Sequence, residues 1–156
     1  MVTGNISGLF ATTVGGVPKP EVDSITVGKL GVKDEIIRDT KHHGGEQKAV
    51  CVLAEEIVHD LQERGHPIAG GTTGENILLS VPFEVLQPGV VLQFDEAVLE
   101  ITMAATPCKT IAESFLNQEF TLLSDKRHPG RTRWYARVQV EGIIKNGETV
   151  AINSNA

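Results

Sequence analysis

Hydrophobic positions change period several times along the chain, and the changes mark out its elements. Residues 6–13 are a mostly apolar run that predicts a first strand, and residues 21–27 alternate and predict a second. Between them Gly15-Gly16-Val17-Pro18-Lys19-Pro20 forms a turn-rich link. From Glu46 the period becomes helical. Val50, Leu53, Ile57 and Leu61 recur at three and four, and Gly65 follows as the residue that closes a helix. A short apolar run over 77–81 leads into a loop with one helical turn over 82–89. Residues 90–94 and 97–103 predict a strand pair, with Leu99, Ile101 and Met103 on one face and Glu100 and Thr102 on the other. Residues 110–120 predict a second helix with Ile111, Phe115 and Leu116 inward. Residues 134–140 alternate again, setting Tyr135, Arg137 and Gln139 against Ala136, Val138 and Val140. Asn146-Gly147, between Ile143-Ile144 and an apolar run over 150–152, predicts a hairpin; residues 153–156 read as a loose tail.

The outline is six to eight short strands, one clear helix and a second further along. It lacks the strand–helix alternation of a doubly wound sheet, and predicts a mainly β fold: a compact, mostly antiparallel β-barrel with a few peripheral α-helices. Sixteen glycines and seven prolines agree with many turns. A length of 156 residues, 40% of them hydrophobic, supports one domain spanning 1–156, with its core over about 6–152. The net charge of −6 argues against a broad nucleic-acid surface. No run approaches the roughly 18 apolar residues of a membrane span, and the first residues lack the basic and apolar regions of a secretory signal. Two cysteines without a CxxC spacing read as free thiols in a reducing cytoplasm.

Polar chemistry gathers at four turns or strand ends: 42–45, 70–76, 106–109 and 131–137. Cys108 follows Pro107 at the end of a strand and stands beside Lys109, a setting that stabilises a thiolate if a helix opens there. The residue types leave a second reading open, in which Cys108 is a small buried hydrophobe. Gly70 to Asn76 carries three glycines and two hydroxyls, and so predicts either a loop whose bare amides approach an anion or a tight turn. Cys51 reads as packing, and His59 and His66 as surface or loop residues. No GxSxG, HExxH or P-loop order is present. This leaves one candidate thiolate, two glycine-rich loops and an arginine cluster, a set suited to a phosphorylated cofactor with a soft metal or a sulfur group.

In order, His42-His43-Gly44-Gly45-x-x-x-Ala49-Val50, Gly74-Glu75-Asn76, Pro107-Cys108 and Tyr135-x-Arg137-Val138, with Gly142 and Gly147 downstream, resemble the MOSC domain. This module closes molybdenum cofactor sulfurases and also occurs as small stand-alone proteins. The resemblance implies a β-barrel and a link to the pterin-based molybdenum cofactor and to sulfur transfer. Cys108 takes the part of the sulfur carrier or metal ligand. The pyridoxal phosphate named for the family belongs to a separate sulfurase domain that this sequence does not include. Two positions depart from the pattern. Thr106, after two alanines, stands where several relatives carry arginine or another large polar residue, and Gly147-Glu148 replaces a frequent Gly-Asp. The accessory N-terminal barrel of larger MOSC reductases is also lacking, which implies a shallower site or one completed by a partner.

Three functions stay open on this reading. In the first, molybdenum cofactor (molybdopterin) is ligated by Cys108, and N-hydroxylated small molecules are reduced with electrons from a separate reductase. His42, Gly44, Gly45, Gly71, Thr72, Thr73, Gly74, Glu75 and Asn76 then frame the cofactor with Lys109, Arg131, Arg133, Tyr135 and Arg137, while His43 orients it or moves protons. In the second, Cys108 holds a persulfide received from a cysteine desulfurase. In the third, the domain binds a small ligand without catalysis.

Overall fold

A computed structural model describes residues 2–36 and 44–154. Ten strands are described: β1 (Val2–Leu9), β2 (Ser24–Gly28), β3 (Gly31–Val32), β4 (Val50–Ala54), β5 (Ile77–Ser80), β6 (Val91–Gln93), β7 (Val98–Ala105), β8 (Arg133–Val140), β9 (Gly142–Lys145) and β10 (Thr149–Asn153). Seven of them close a barrel in the order β1-β10-β6-β7-β8-β4-β5, and a three-stranded sheet, β3-β2-β9, stands beside it. Every neighbouring pair is antiparallel except β4 with β5. A parallel step requires a crossover. It is supplied by the one described α-helix, α1 (Glu55–Glu63), which packs Ile57, Val58 and Leu61 inward.

The barrel is mainly β, as the sequence predicts, but three elements differ from expectation. The helical period from Val50 covers a strand and then a helix: all five residues of β4 are buried, and a short, fully buried run carries no period that separates the two states. Within α1 the reading holds. Glu55 and Glu56 occupy its first turn, where acidic groups favour the helix dipole, and Gly65 follows the C-cap Arg64 at φ 95°.

Residues 110–120 form no α-helix. Short 3₁₀ turns cover Lys109–Ser114, Leu116–Gln118 and Phe120–Leu122, interrupted by extended Phe115 and by Asn117 and Gln118 at φ 54° and 56°. One backbone donor of the expected ladder is taken by a distant group, Leu116 N–H donating to His66 Nδ1 at 3.0 Å, while Ser114 Oγ donates to Thr72 Oγ1 at 2.9 Å and ties the turn to the 70–76 loop. Nor does Asn146-Gly147 join a paired hairpin. The turn closes, with Glu148 N–H donating to Lys145 O, but β9 pairs with β2 while β10 pairs with β1 and β6.

Alternation along β8 decides which side chains fill the barrel and which line its outside. Trp134, Ala136 and Val138 enter the barrel core, while Arg133 and Tyr135 face its outer wall, where Tyr135 packs with Cys51 and Ala105. On β7, Ile101 pairs with Ala136 but Met103 pairs with Tyr135, so Thr102 is a bulge. Leu99 and Ile101 therefore point inward, whereas Met103 and Ala105 point outward. The expected common face of Leu99, Ile101 and Met103 ends at that bulge. Thr102 Oγ1 donates to Gln47 O at 2.6 Å and anchors it.

Candidate functional site

On this outer wall lies a cleft of about 490 Å³. Its floor is Cys51 from β4 with Arg133 and Tyr135 from β8, and its walls are Gly15, Gly16, Val17 and Lys19, Glu35 and Ile36, Gly44, Lys48 and Ala49, Thr73, Gly74 and Asn76, and Thr110 and Ile111. A more open groove of about 980 Å³ runs along β2 and β3, but its lining among the described residues holds neither a thiol nor an arginine. Six of the residues the sequence singles out line the first.

Arg133 is 3% exposed. Its Nη1 donates to Thr73 O at 2.8 Å and its Nη2 to Thr106 O at 3.3 Å, which links the 70–76 loop to the end of β7. Its Nε has no partner among the described residues. A buried donor without an acceptor costs free energy, so this atom favours a ligand that brings one.

Asn76 locks the opposite wall. Its Oδ1 accepts Cys51 N–H at 3.1 Å, and its Nδ2 donates to Phe10 O at 3.0 Å and to Glu35 Oε1 at 3.1 Å. The Glu35 carboxylate also accepts Thr12 N–H and pairs with Lys19 Nζ at 3.0 Å. Lys48 Nζ stands 5.4 Å from the centre of the Tyr135 ring, within cation–π range.

The cleft separates the two thiols by environment. Cys51 is buried, and desolvation holds its pKa up at about 11, against the opposing pull of Arg133 and Lys19. It remains a thiol at neutral pH. Cys108 is exposed after β7 and before the 3₁₀ turn; it is outside the cleft lining and meets it only through the lining residue Thr110, whose Oγ1 lies 2.8 Å from Sγ. The buried-hydrophobe reading therefore falls to Cys51, and the accessible sulfur is Cys108. The six-residue turn after Cys108 does not supply the dipole of the full helix that the sequence predicts.

Of the residues named from sequence, Gly44, Thr73, Gly74, Asn76, Arg133 and Tyr135 line the cleft. Gly71, Thr72 and Glu75 stand behind it. Gly71 N–H is spent on Glu75 Oε2 at 2.7 Å, Thr73 Oγ1 donates to Glu75 Oε1 at 2.8 Å, and Thr72 Oγ1 closes its own turn onto Ala69 O. The 70–76 loop thus offers the cleft fewer amides than its composition promises. A Cβ on Gly71 would come within 2.2 Å of Lys19 O, so this glycine serves close packing as well as its φ of 81°.

Arg131 and Arg137 are directed elsewhere. Arg131 pairs with Asp60 at 3.1 Å and lies over Phe83, while Arg137 pairs with Glu100 across β7 and β8. Lys109 is exposed outside the lining, and Gly45 donates its N–H to Leu30 O. His42 and His43 lie outside the described residues.

Lys19, Glu35, Lys48, Cys51 and Thr110 are site residues that sequence reasoning passes over. Only Gly15-Gly16 carries a signal comparable to the other glycine loops. Among the described residues, no group of three or more His, Cys, Asp and Glu side chains could hold a metal ion. A metal at Cys108 would take its other ligands from the group carrying it, as a pterin cofactor provides. With an accessible soft donor and an unpartnered buried guanidinium, the residues fit such a group.

A closed seven-stranded barrel with an exposed thiol after a strand end, and a cleft lined by a buried arginine on its outer wall, defines a small, mainly β barrel protein. The chain matches the MOSC domain over residues 39–151 and belongs to that family. It is similar to the YflK protein of Bacillus subtilis strain 168, called uncharacterized, with 31% identity over 118 residues. That match covers 74% of this chain and 52% of YflK, so the chain spans about half the length of this curated relative. Among solved structures it resembles the YuaD protein of Bacillus subtilis, with a TM-score of 0.76 and 17% identity over 98% of this chain and 97% of that one. It also resembles YiiM of Geobacillus stearothermophilus, at 0.68 and 25% over 98% and 74%, and YiiM of Escherichia coli, at 0.70 and 16% over 100% and 72%. These likenesses agree on the fold. Among the described residues no helix is long and apolar enough to cross a membrane.

Proposed function

We propose that this MOSC protein binds the molybdenum cofactor, with Cys108 as the protein's ligand to the metal, and reduces N-hydroxylated small molecules. The observation that carries the reading is an exposed Cys108 two residues before the lining residue Thr110, in a cleft also lined by Arg133, whose buried Nε has no partner among the described residues. Arg133 and Lys19 would hold the cofactor's phosphate, and Tyr135 with Lys48 would flank its ring system. When bound, the cofactor supplies the two-electron redox chemistry. The chain's residues hold the anionic end, fix the sulfur at the rim and leave that rim open to substrate, with a separate reductase as electron donor. The test is molybdenum content after expression with cofactor supply: near one atom per chain in the native protein and strongly reduced in Cys108→Ser. Full retention in that variant would falsify the ligand role.

One observation favours a second reading, a sulfur carrier. Cys108 is open to a macromolecular donor, as a persulfide site served by a cysteine desulfurase must be. Incubation with a desulfurase and cysteine, followed by peptide mass spectrometry, should then show one added sulfur on Cys108 without bound molybdenum. The cytoplasm is the compartment in which either role keeps this thiol reduced.

A further inference from the structure

Asn146-Gly147 is the one Asn-Gly pair in the chain, and the fold sets it where the three-stranded sheet joins the barrel. A hairpin turn of the usual kind needs positive φ at both central residues; here only Gly147 has it, at 84°, and β9 and β10 part after the turn. Three bonds fasten the joint. Asn146 N–H donates to Asp23 O at 2.8 Å, Ile6 N–H of β1 donates to Glu148 O at 2.9 Å, and Asp95 N–H donates to Glu148 Oε1 at 3.0 Å. None of them uses the Asn146 side-chain amide or the N–H of Gly147, and neither group bonds any other described residue. Both residues are exposed, and a Cβ on Gly147 would meet nothing within 4 Å.

We infer that Asn146 is a site of spontaneous deamidation, a covalent modification that adds a negative charge at this joint. The backbone nitrogen of Gly147, having lost its proton, attacks Asn146 Cγ. A new C–N bond forms, the Cγ–Nδ2 bond breaks, and ammonia leaves carrying that proton. Water then opens the cyclic imide at either carbonyl, giving an aspartyl or an isoaspartyl residue with no change of oxidation state. Glycine favours the attack because no Cβ crowds its nitrogen. The other asparagines precede Ile6, Ile77, Gln118, Ser154 and Ala156, which all carry one, and the amide of Asn76 is held at both ends. An isoaspartyl residue lengthens the backbone by one carbon between two segments fixed to Asp23 and Ile6, so the joint must loosen. The reaction involves neither Cys108 nor the cleft.

The experiment incubates the full chain at pH 6 and pH 9, folded and in urea, and follows residue 146 by peptide mass spectrometry, with enzymatic methylation scoring isoaspartyl groups. In the folded protein the peptide bearing Asn146 should convert before any other asparagine peptide, and faster at pH 9, because the attacking nitrogen is an anion. Its rate should lie within about tenfold of the rate in urea, so that the turn opposes attack by less than about 1.4 kcal/mol. Asn146→Gln should remove most of the isoaspartyl signal, and the converted fraction, separated by anion exchange, should unfold at a lower urea midpoint. A folded rate further below that in urea, earlier conversion at another asparagine, an isoaspartyl signal undiminished in Asn146→Gln, or an unchanged midpoint in the converted fraction overturns the proposal.

Discussion

Arg133 donates Nη1 to the carbonyl oxygen of Thr73 at 2.8 Å, and through that bond β8 holds the wall of the cleft. The same guanidinium leaves Nε buried without a partner. Two contributions of opposite sign meet in one side chain: two carbonyls are satisfied, and a desolvated charge is only partly compensated. Arg133→Met removes both. Each is worth about 1–3 kcal/mol, so the unfolding free energy should change by no more than about 2 kcal/mol in either direction, measured from urea midpoints, while molybdenum loading is lost. A residue kept for binding rather than stability behaves this way.

Asn76 is expected to behave differently, because all its hydrogen bonds serve the fold. Asn76→Asp places a second carboxylate against Glu35 and removes the donor to Phe10 O. It should lower stability by about 3 kcal/mol at pH 7, and the deficit should shrink as acid protonates the new side chain. Urea unfolding of both proteins at pH 7 and pH 5 checks this.

Burial raises the pKa of Glu75, against the hydrogen bonds from Gly71 and Thr73 and the charge of Arg133. The sign of the resulting pH dependence follows from proton counting. Above the ordinary carboxyl value of 4.5 the unfolded chain releases this proton while the folded one retains it, so the contribution of Glu75 to stability falls as pH rises from 4.5 to the folded value. Glu75→Gln keeps an acceptor for Gly71 N–H and turns an amide donor toward Thr73 Oγ1, reversing the bond that Thr73 now donates. Its stability relative to the native protein should therefore increase across that window and level off above it, as measured by thermal unfolding at successive pH values.

The two cysteines should separate cleanly. With Cys51 held near 11 by burial and Cys108 exposed, iodoacetamide at pH 7 should label Cys108 and leave Cys51 unmodified until the protein unfolds. Peptide mapping before and after urea reads both sites.

Strand alternation makes much of the barrel legible, because residues such as Leu99, Val138 and Ile152 sit on faces that sequence periodicity can assign. Cys108, Arg133, Tyr135 and the Gly74–Asn76 stretch are legible as chemistry or as family motif. Val50 to Ala54 misleads because a strand buried on both sides carries no period, and 110–120 because Leu116 N–H goes to the distant His66 and the backbone breaks at extended Phe115 and positive-φ Asn117 and Gln118. Arg131 and Arg137 look equivalent to Arg133, yet their partners Asp60 and Glu100 come from elements far away in sequence. Lys19 and Glu35 acquire meaning only by meeting across Asn76. No local pattern could announce that.

Thr102, the extra residue in β7, exchanges inside for outside along the rest of its strand. Were the bulge ironed out, with Thr102 paired opposite Tyr135, Ala105 would turn toward the barrel lumen and Ala104 toward the cleft, and the peptide leading through Pro107 would leave the strand half a pleat out of phase. A single unpaired residue thus decides on which side of the wall the segment running to Cys108 begins.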